Sequence, residues 1–282
     1  MRLILSRKGF DSSAGGCPSP LFPDGRLLAL PIPDERSPIT YGELQYQGEN
    51  LGTLAASLTG KPDFRQTGAH LDPDLVPELL PRHRRWRPLL GQEGPAQGHL
   101  CRQGVTRGDL FLFFGLFRPV QDAGDGWRFV PGAPAFHALW GWLQIGDVHP
   151  VDEAARQVLP WAHYHPHFHG ARAANNTLYT ASDELVLPER STGWPAAGIF
   201  PQYTTGTRLT APDAQQPSRW RLPAGFFPGT GRTPLSYHHR SSRWRRAGRY
   251  CHLDSAARGQ EFVLDTSDYP GVRRWLWRLF RS

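Results

Sequence analysis

The feature that most restricts the fold is an apolar run, "DLFLFFGLF" at 109–117, with no polar side chain between Leu110 and Phe117. A strand with one wet face alternates, and a surface helix keeps a polar stripe, so an unbroken run of this length belongs to a strand covered on both faces. It is far too short to cross a bilayer. A "DAGDG" turn, the short strand "WRFV" and a second apolar strand, "LWGWLQIGDV" at 139–148, follow, so the middle of the chain reads as a β-meander. "RLILS" at 2–6 predicts a first strand and "RLLALPIP" at 26–33 a second. "VDEAARQVL" at 151–159 has helical composition, with acids in its first turn and Pro160 closing it. Pro270 opens a last helix, with Ser267 or Asp268 available as cap. Val272, Trp275, Leu276 and Leu279 give it one apolar stripe, opposite Arg273, Arg274, Arg278 and Arg281. Residues 188–217, rich in Pro, Gly and Thr, read as one long loop.

At 282 residues and 39% hydrophobic composition, the chain can bury a substantial core, and 30 Gly with 27 Pro predict many turns around it. No secretory h-region follows "MRLILSRKGF". Cys17, Cys101 and Cys251 are widely separated, which argues against a disulfide framework or a thiolate zinc site and for a cytoplasmic, membrane-free protein. The net charge of +7 is uneven: residues 218–282 hold 13 Arg against Asp254, Glu261, Asp265 and Asp268, a net +9, which leaves about −2 for the rest. Such a field suits a polyanion, most simply nucleic acid. Lysine occurs only at Lys8 and Lys61, against 30 Arg.

Candidate chemistry is spread along the chain. "SRKGFDSSAGGCPSP" at 6–20 is a Gly-rich turn after a strand, with Arg7, Lys8, Asp11, Ser12 and Ser13, but it is neither a Walker loop nor a GxGxxG. In an arginine-biased chain, a lysine at such a turn suggests a need for a tunable amine rather than for charge alone. "HLDPDL" at 70–75 sets His70, Asp72 and Asp74 close together, as metal binding or acid and base work requires; a solvated turn has the same composition. "WAHYHPHFHG" at 161–170 spaces His163, His165, His167 and His169 by two. In an extended strand they would share a face, and His165 with His167 could chelate a divalent metal if Asp72, Asp74 or Glu261 closed the site. A half-exposed strand with satisfied histidines is the plainer reading. Arg-Trp-Arg occurs at 85–87, 219–221 and 243–245, where about 0.1 occurrences are expected from composition. Arg219, Trp220, Arg221, Arg243, Trp244, Arg245, Arg246 and Trp277 therefore make a candidate surface for stacking bases and holding phosphates, unless the tryptophans are buried and the arginines merely flank them. "LSYHH" at 235–239 offers Tyr237 and His238. "RGQEFVLD" at 258–265 offers Gln260 and Glu261, an acid whose pKa burial would raise. No Gly-x-Ser-x-Gly elbow and no HExxH is present.

Together, "LSRKGFDSSAGGCPSP", "HLDPDL", "GDLFLFFGLFR", "GWLQIGDV", "HPHF", "NNTLYTAS", "SRWRLP", "LSYH" and "GQEFVLD" resemble the third nucleotide-modification-associated domain family of bacteria and phages, from residue 1 to about residue 265. The resemblance implies one α+β domain over residues 1–282 and a connection with modified bases in DNA. Combined with the strand pattern, the expected fold is a mixed, largely antiparallel β core, with PUA-like strands in the middle, and a C-terminal amphipathic helix. The polar positions that match are Arg7, Lys8, Asp11, Ser12, His70, Asp72, His165, His167, Tyr237, His238, Gln260 and Glu261. His163 and His169 fall outside the matched HPH core.

The expected function is an enzyme acting on nucleotides or on a base in DNA. Lys8, Asp11, His70, Asp72, His165, His167, Tyr237, His238 and Glu261 would be its catalytic candidates, with Arg7, Ser12, Ser13 and Gln260 holding the nucleotide. The cofactor is open, with a divalent metal on His165 and His167 among the options. A non-catalytic reader of modified DNA or RNA and a metal-dependent hydrolase or nuclease are the rivals. All of these require that distant polar motifs meet.

Overall fold

Leu110–Asp122 and Phe136–Pro150 pair antiparallel within a nine-stranded sheet in the computed structural model, which describes residues 1–188, 190–257 and 259–281. Both faces of the apolar run are covered: Phe111 and Phe113 enter one hydrophobic cluster, and Leu110, Leu112 and Phe114 the other. The first strand, Arg2–Arg7, runs parallel to Leu110–Asp122 and antiparallel to Glu261–Asp265. Beyond Phe136–Pro150 lie Thr177–Ala181 and then Leu89–Gln92, both antiparallel to their neighbours. The result is a single α+β domain with a mixed, mostly antiparallel sheet.

The sheet curls until its two ends meet. Gln92 Nε2, at the end of one terminal strand, donates to Glu261 Oε1, at the start of the other, over 2.6 Å. Register shifts between Leu139 and Gly141 and between Ile145 and Asp147 interrupt the ladders of the longest strand and let it bend. Lys8 and Gln260 lie directly beside the strand ends at this closure.

Several elements differ from expectation. "RLLALPIP" is not a strand along its length: Leu27 makes a single antiparallel bridge with Leu21 and Ile32–Pro33 pairs with Ala69–His70, while Leu28 and Leu30 are buried in irregular backbone between them. Pro31 and Pro33 offer no ladder donors, and the strand role near the N-terminus passes to Ser19–Leu21, parallel to Leu110–Asp122. The helix Leu51–Thr59, which the sequence pattern did not predict, is bounded by Asn50, whose side chain accepts from Thr53 N–H, and by Gly60 at φ 70. The stretch 188–217 is also less open than expected, since Arg190–Pro195 and Ala197–Ile199 are strands.

The helices Glu153–Val158 and Pro270–Leu279 form where predicted. Val272, Trp275, Leu276 and Leu279 bury the expected stripe against the cluster that holds Trp220 and Phe226. Neither proposed cap is used at Pro270–Leu279: Tyr269 is the cap residue, and the Ser267 hydroxyl donates to Asp265 instead. Among the described residues, no helix is long and apolar enough to cross a membrane.

Candidate functional site

A cavity of about 300 Å³ opens where the sheet closes, and Arg7, Lys8, Asp11, Ser13, His70, Asp72, His167 and Gln260 all line it. These residues come from four separate stretches of sequence, so the convergence is a property of the fold. Lys8 follows the first strand, its N–H donating to Phe114 O over 2.9 Å; a Cβ on Gly115 would lie 2.9 Å from Lys8 O, so a larger residue there would push Lys8 away. His70 is placed by its ladder pairing with Ile32, and Asp72 by a tight turn in which its N–H donates to His70 O over 2.7 Å.

Asp72 is the centre of the site. Its side chain is 2% exposed, and its Oδ1 accepts the Gly91 N–H over 2.5 Å while its Oδ2 faces Lys8 Nζ at 3.1 Å. His165 Nε2 stands 3.4 Å from Oδ1 without hydrogen-bond geometry, an electrostatic contact only. Burial works to raise the Asp72 pKa. The Lys8 ammonium and the His165 and His167 rings outweigh it, and the carboxyl is held well below its usual range. Asp72 is therefore a buried carboxylate rather than a carboxylic acid.

Two imidazoles face it. His70 Nδ1 donates to Asp34 Oδ2 over 2.8 Å, which orients the ring with its other nitrogen, Nε2, toward Asp72 Oδ2, 4.0 Å away. That contact, above all, holds the Asp34 carboxyl far below its ordinary pKa, against burial and with help from Arg36. His167 Nδ1 donates to Asn176 Oδ1 over 2.5 Å, while Asn176 Nδ2 donates to His167 O, so its Nε2 is a lone pair. Burial pushes His167 down to about 4, the Asp72 charge opposing it, and the ring is neutral at physiological pH. The glycine at position 91 is required here: a Cβ would come within 2.2 Å of the His167 ring.

The pairing expected for a metal, His165 with His167, is not the one formed. The segment is not a strand but a short 3₁₀ turn, Pro166–Phe168, with His165 as its cap. His165 Nδ1 accepts the His167 N–H over 3.4 Å, so its proton sits on Nε2 and it has no lone pair to offer. His163 and His169 lie outside the cavity lining, each ring bonded to a nearby backbone carbonyl.

Other candidates take positions around the cavity or away from it. Asp11 Oδ1 accepts from Ser13 N–H, Ser13 Oγ and Ala14 N–H at 2.6 to 2.8 Å, so the Gly-rich turn is held by its own carboxylate; Ser12 is exposed on it. Glu261 is 1% exposed and lies behind the lining, its Oε1 accepting from Ser6 Oγ and Gln92 Nε2 while Oε2 has no hydrogen-bond partner among the described residues. Burial raises its pKa, with Lys8 opposing. Tyr237 and His238 do not reach the cavity lining. His238 is consumed structurally: Nδ1 donates to Ser236 O over 2.7 Å and Nε2 accepts the Ala256 N–H over 2.9 Å. Asp74 is turned into a buried cluster with Arg82, Tyr164 and Trp86.

Trp220 and Trp244 are not stacking platforms, and half-buried Trp86 is covered by the Arg82 guanidinium, 4.5 Å from its centroid. Trp220 is 0% exposed and Trp244 is buried; Trp220 Nε1 donates to His137 and Trp244 Nε1 to His238 O. Alternation in Arg219–Pro223 turns Trp220 inward and leaves Arg219 exposed and Arg221 half-buried, while Trp244 alone is buried in Trp244–Ala247, with Arg245 and Arg246 exposed and Arg243 half-buried before it. The Arg190 and Arg281 guanidinium groups lie over the Trp277 ring, 4.6 and 5.7 Å from its centroid. Positive charge gathers instead in a groove lined by Arg208, Arg221, Arg249 and Arg278 beside Tyr250.

Several site residues were not singled out from the sequence: Asp34, Gly91, Gln92, Glu93, Arg172 and Asn176. Arg172 binds Glu93 Oε1 over 3.0 Å and Pro166 O over 2.6 Å, which pins the histidine turn to the strand end. Asn176 lies in the quoted "NNTLYTAS" motif, a signal that was present. The cavity is lined by four basic side chains, Arg7, Lys8, Arg36 and Arg172, and four acidic ones, Asp11, Asp34, Asp72 and Glu93. Its charge is therefore balanced, unlike that of the C-terminal quarter.

A family model described as nucleotide modification associated domain 3 matches residues 2–265. The chain belongs to this family. No curated protein and no solved structure matches, so the PUA-like likeness of the middle strands gains no support. Every residue lining the balanced cavity falls within the family's span, whereas the helix Pro270–Leu279, with Arg278 of the basic groove, lies beyond it. Membership in this family implies involvement in nucleotide modification.

Proposed function

We propose that this protein is a cytosolic enzyme, acting through the whole of residues 1–282, that modifies nucleotides or bases in DNA in the cavity formed by Lys8, His70, Asp72 and His167. The observation that carries the reading is the convergence of an amine, two imidazoles with free nitrogens and an ionised carboxylate in one cavity. Its volume suits a base and its sugar, near the lower bound for small-molecule sites. His167, neutral and with Nε2 open, accepts a proton from the substrate. Lys8, held by Asp72, offsets negative charge that develops on it, and Arg36, whose side chain is 47% exposed, meets a phosphate at the rim. Group transfer to a base and N-glycosidic cleavage both need these two services.

The test is nucleoside mass analysis of DNA from cells carrying the protein or its variants. Lys8→Ala and His167→Ala are expected to abolish the modified nucleoside. Full modification in both variants removes the assignment.

A second reading is a non-catalytic module that binds modified DNA or RNA, favoured by the arginine groove of about 370 Å³. It predicts salt-dependent binding that survives Lys8→Ala, with no turnover on any nucleotide.

A further inference from the structure

We propose that His70 Nε2, His167 Nε2 and the Asp72 carboxylate bind a first-row divalent transition-metal ion. The inference deepens the reading of the same cavity and rests on it; with the ion in place the His167 Nε2 lone pair is a ligand, and an ion-bound hydroxide takes the substrate proton in its stead. Among the described residues, these three groups offer ligand atoms that all lie within 4.8 Å of one another. Ligands to such an ion sit about 3 to 3.5 Å apart, given bonds of about 2.1 Å, so binding draws the three together by roughly an ångström.

Three observations separate this cluster from a chance meeting of polar groups. First, Asp34 and Asn176 each engage Nδ1 of one ring, so in the neutral imidazole the proton is on Nδ1 and Nε2 is the nitrogen left to bind an ion. A carboxylate or amide behind a histidine is the usual outer support of a metal site. Second, Asp72 is a carboxylate although nearly all its surface is buried, and only part of its hydrogen-bonding capacity is used: Gly91 takes one lone pair of Oδ1 and Lys8 one of Oδ2. Third, His167 can occupy its position only because residue 91 has no side chain.

Two imidazoles and one carboxylate on one side of an ion leave the other side open to the cavity. A substrate oxygen or a water would bind there, polarised by the ion. The balanced charge of the lining fits this: an added divalent ion makes the cavity net positive, as an anionic nucleotide requires. Lys8 is the element that works against binding, because its ammonium lies 3.1 Å from the Asp72 oxygen that faces His70. Metal entry must move it or tolerate it, which gives the site a signature that other imidazole clusters lack.

Protein freed of metal by chelator and dialysis is titrated with Co(II), followed by its visible absorption, and with Mn(II) by calorimetry. One ion per chain is expected. His70→Ala and His167→Ala should each weaken binding by about 100-fold or more, and Asp34→Asn by about 10 to 100-fold. Lys8→Met should tighten binding by about tenfold or more, as removal of a nearby like charge demands. The double variant His163→Ala/His169→Ala should bind as the parent does. If His167→Ala does not fold, His70→Ala carries the comparison, since its side chain is partly exposed. Absence of one-to-one binding overturns the proposal, as does binding that survives His70→Ala but is lost in the His163/His169 double variant. The titration uses no substrate. A metal-free result with nucleoside modification intact would leave the proposed function standing; stoichiometric metal without modification would do the reverse.

Discussion

Burial pushes His137 down to about 3 and His167 and His238 to about 4, and of these described histidines His167 alone lines the cavity. His238 spends both nitrogens on backbone, so its protonation breaks the bond from Ala256 N–H. An unfolded histidine takes up a proton near pH 6.5, whereas this one resists until about 4. Between these values the unfolded state binds more protons, so stability falls as pH drops through that window and is fully present above it. The decrease attributable to His238 is up to about 3 kcal/mol by pH 4. Urea unfolding from pH 7 to pH 4 should show a shallower decline in His238→Gln than in the parent, from a lower starting value; parallel curves would remove the claim. The site was legible in sequence to the extent that reactive side chains announce themselves: Lys8, His70, Asp72 and His167 all stand out by residue type and spacing. Their supports do not, because Asp34, Asn176 and Arg172 are ordinary loop residues whose roles come from long-range proximity. His238 shows the opposite error, an imidazole whose buried backbone bonds no local pattern reveals.

At the scale of elements, the apolar runs were decisive and the short motifs ambiguous. Leu110–Asp122 and Phe136–Pro150 follow directly from sequence because a strand buried on both faces has few competitors. "RLLALPIP" misled because two prolines end ladder pairing while leaving burial intact. The helix Leu51–Thr59 escaped because its nine residues carry no charged face, although the capping Asn50 and Gly60 were there to be read. Arg-Trp-Arg admits both a stacking surface and an alternating strand, and burial resolves it. Trp220 packs with its ring centroid 5.0 Å from that of Phe114 and 6.0 Å from that of Phe262, in the strand Arg219–Pro223. Trp220→Ala is therefore expected to lower stability by about 3 to 5 kcal/mol, and Arg219→Ala by no more than about 0.5 kcal/mol. Denaturant midpoints compare them directly, and a near-neutral Trp220→Ala would mean that this ring is not core.

For the whole molecule, balanced charge at the cavity and excess charge elsewhere imply a division of labour. A cavity lined by equal numbers of acids and bases cannot by itself draw a polyanion from solution. The groove lined by Arg208, Arg221, Arg249 and Arg278 has no acidic side chain in its lining, and Arg221 and Arg249 lie over the Tyr250 ring, with centroid distances of 4.7 and 6.0 Å. If the substrate base is part of a DNA strand, the groove supplies the affinity and the cavity the chemistry. The triple variant Arg221→Glu/Arg249→Glu/Arg278→Glu should then weaken DNA binding and flatten the dependence of log K on log salt. The slope should change by about 0.9 for each phosphate the arginines no longer neutralise on duplex, or about 0.7 on a single strand. Free nucleotide, which on this reading needs only the cavity, should be handled as before. A triple variant that binds DNA with the parent's salt slope would show that the arginines do not anchor it, and a variant that loses free-nucleotide turnover as well would place the groove inside the reaction site rather than beside it.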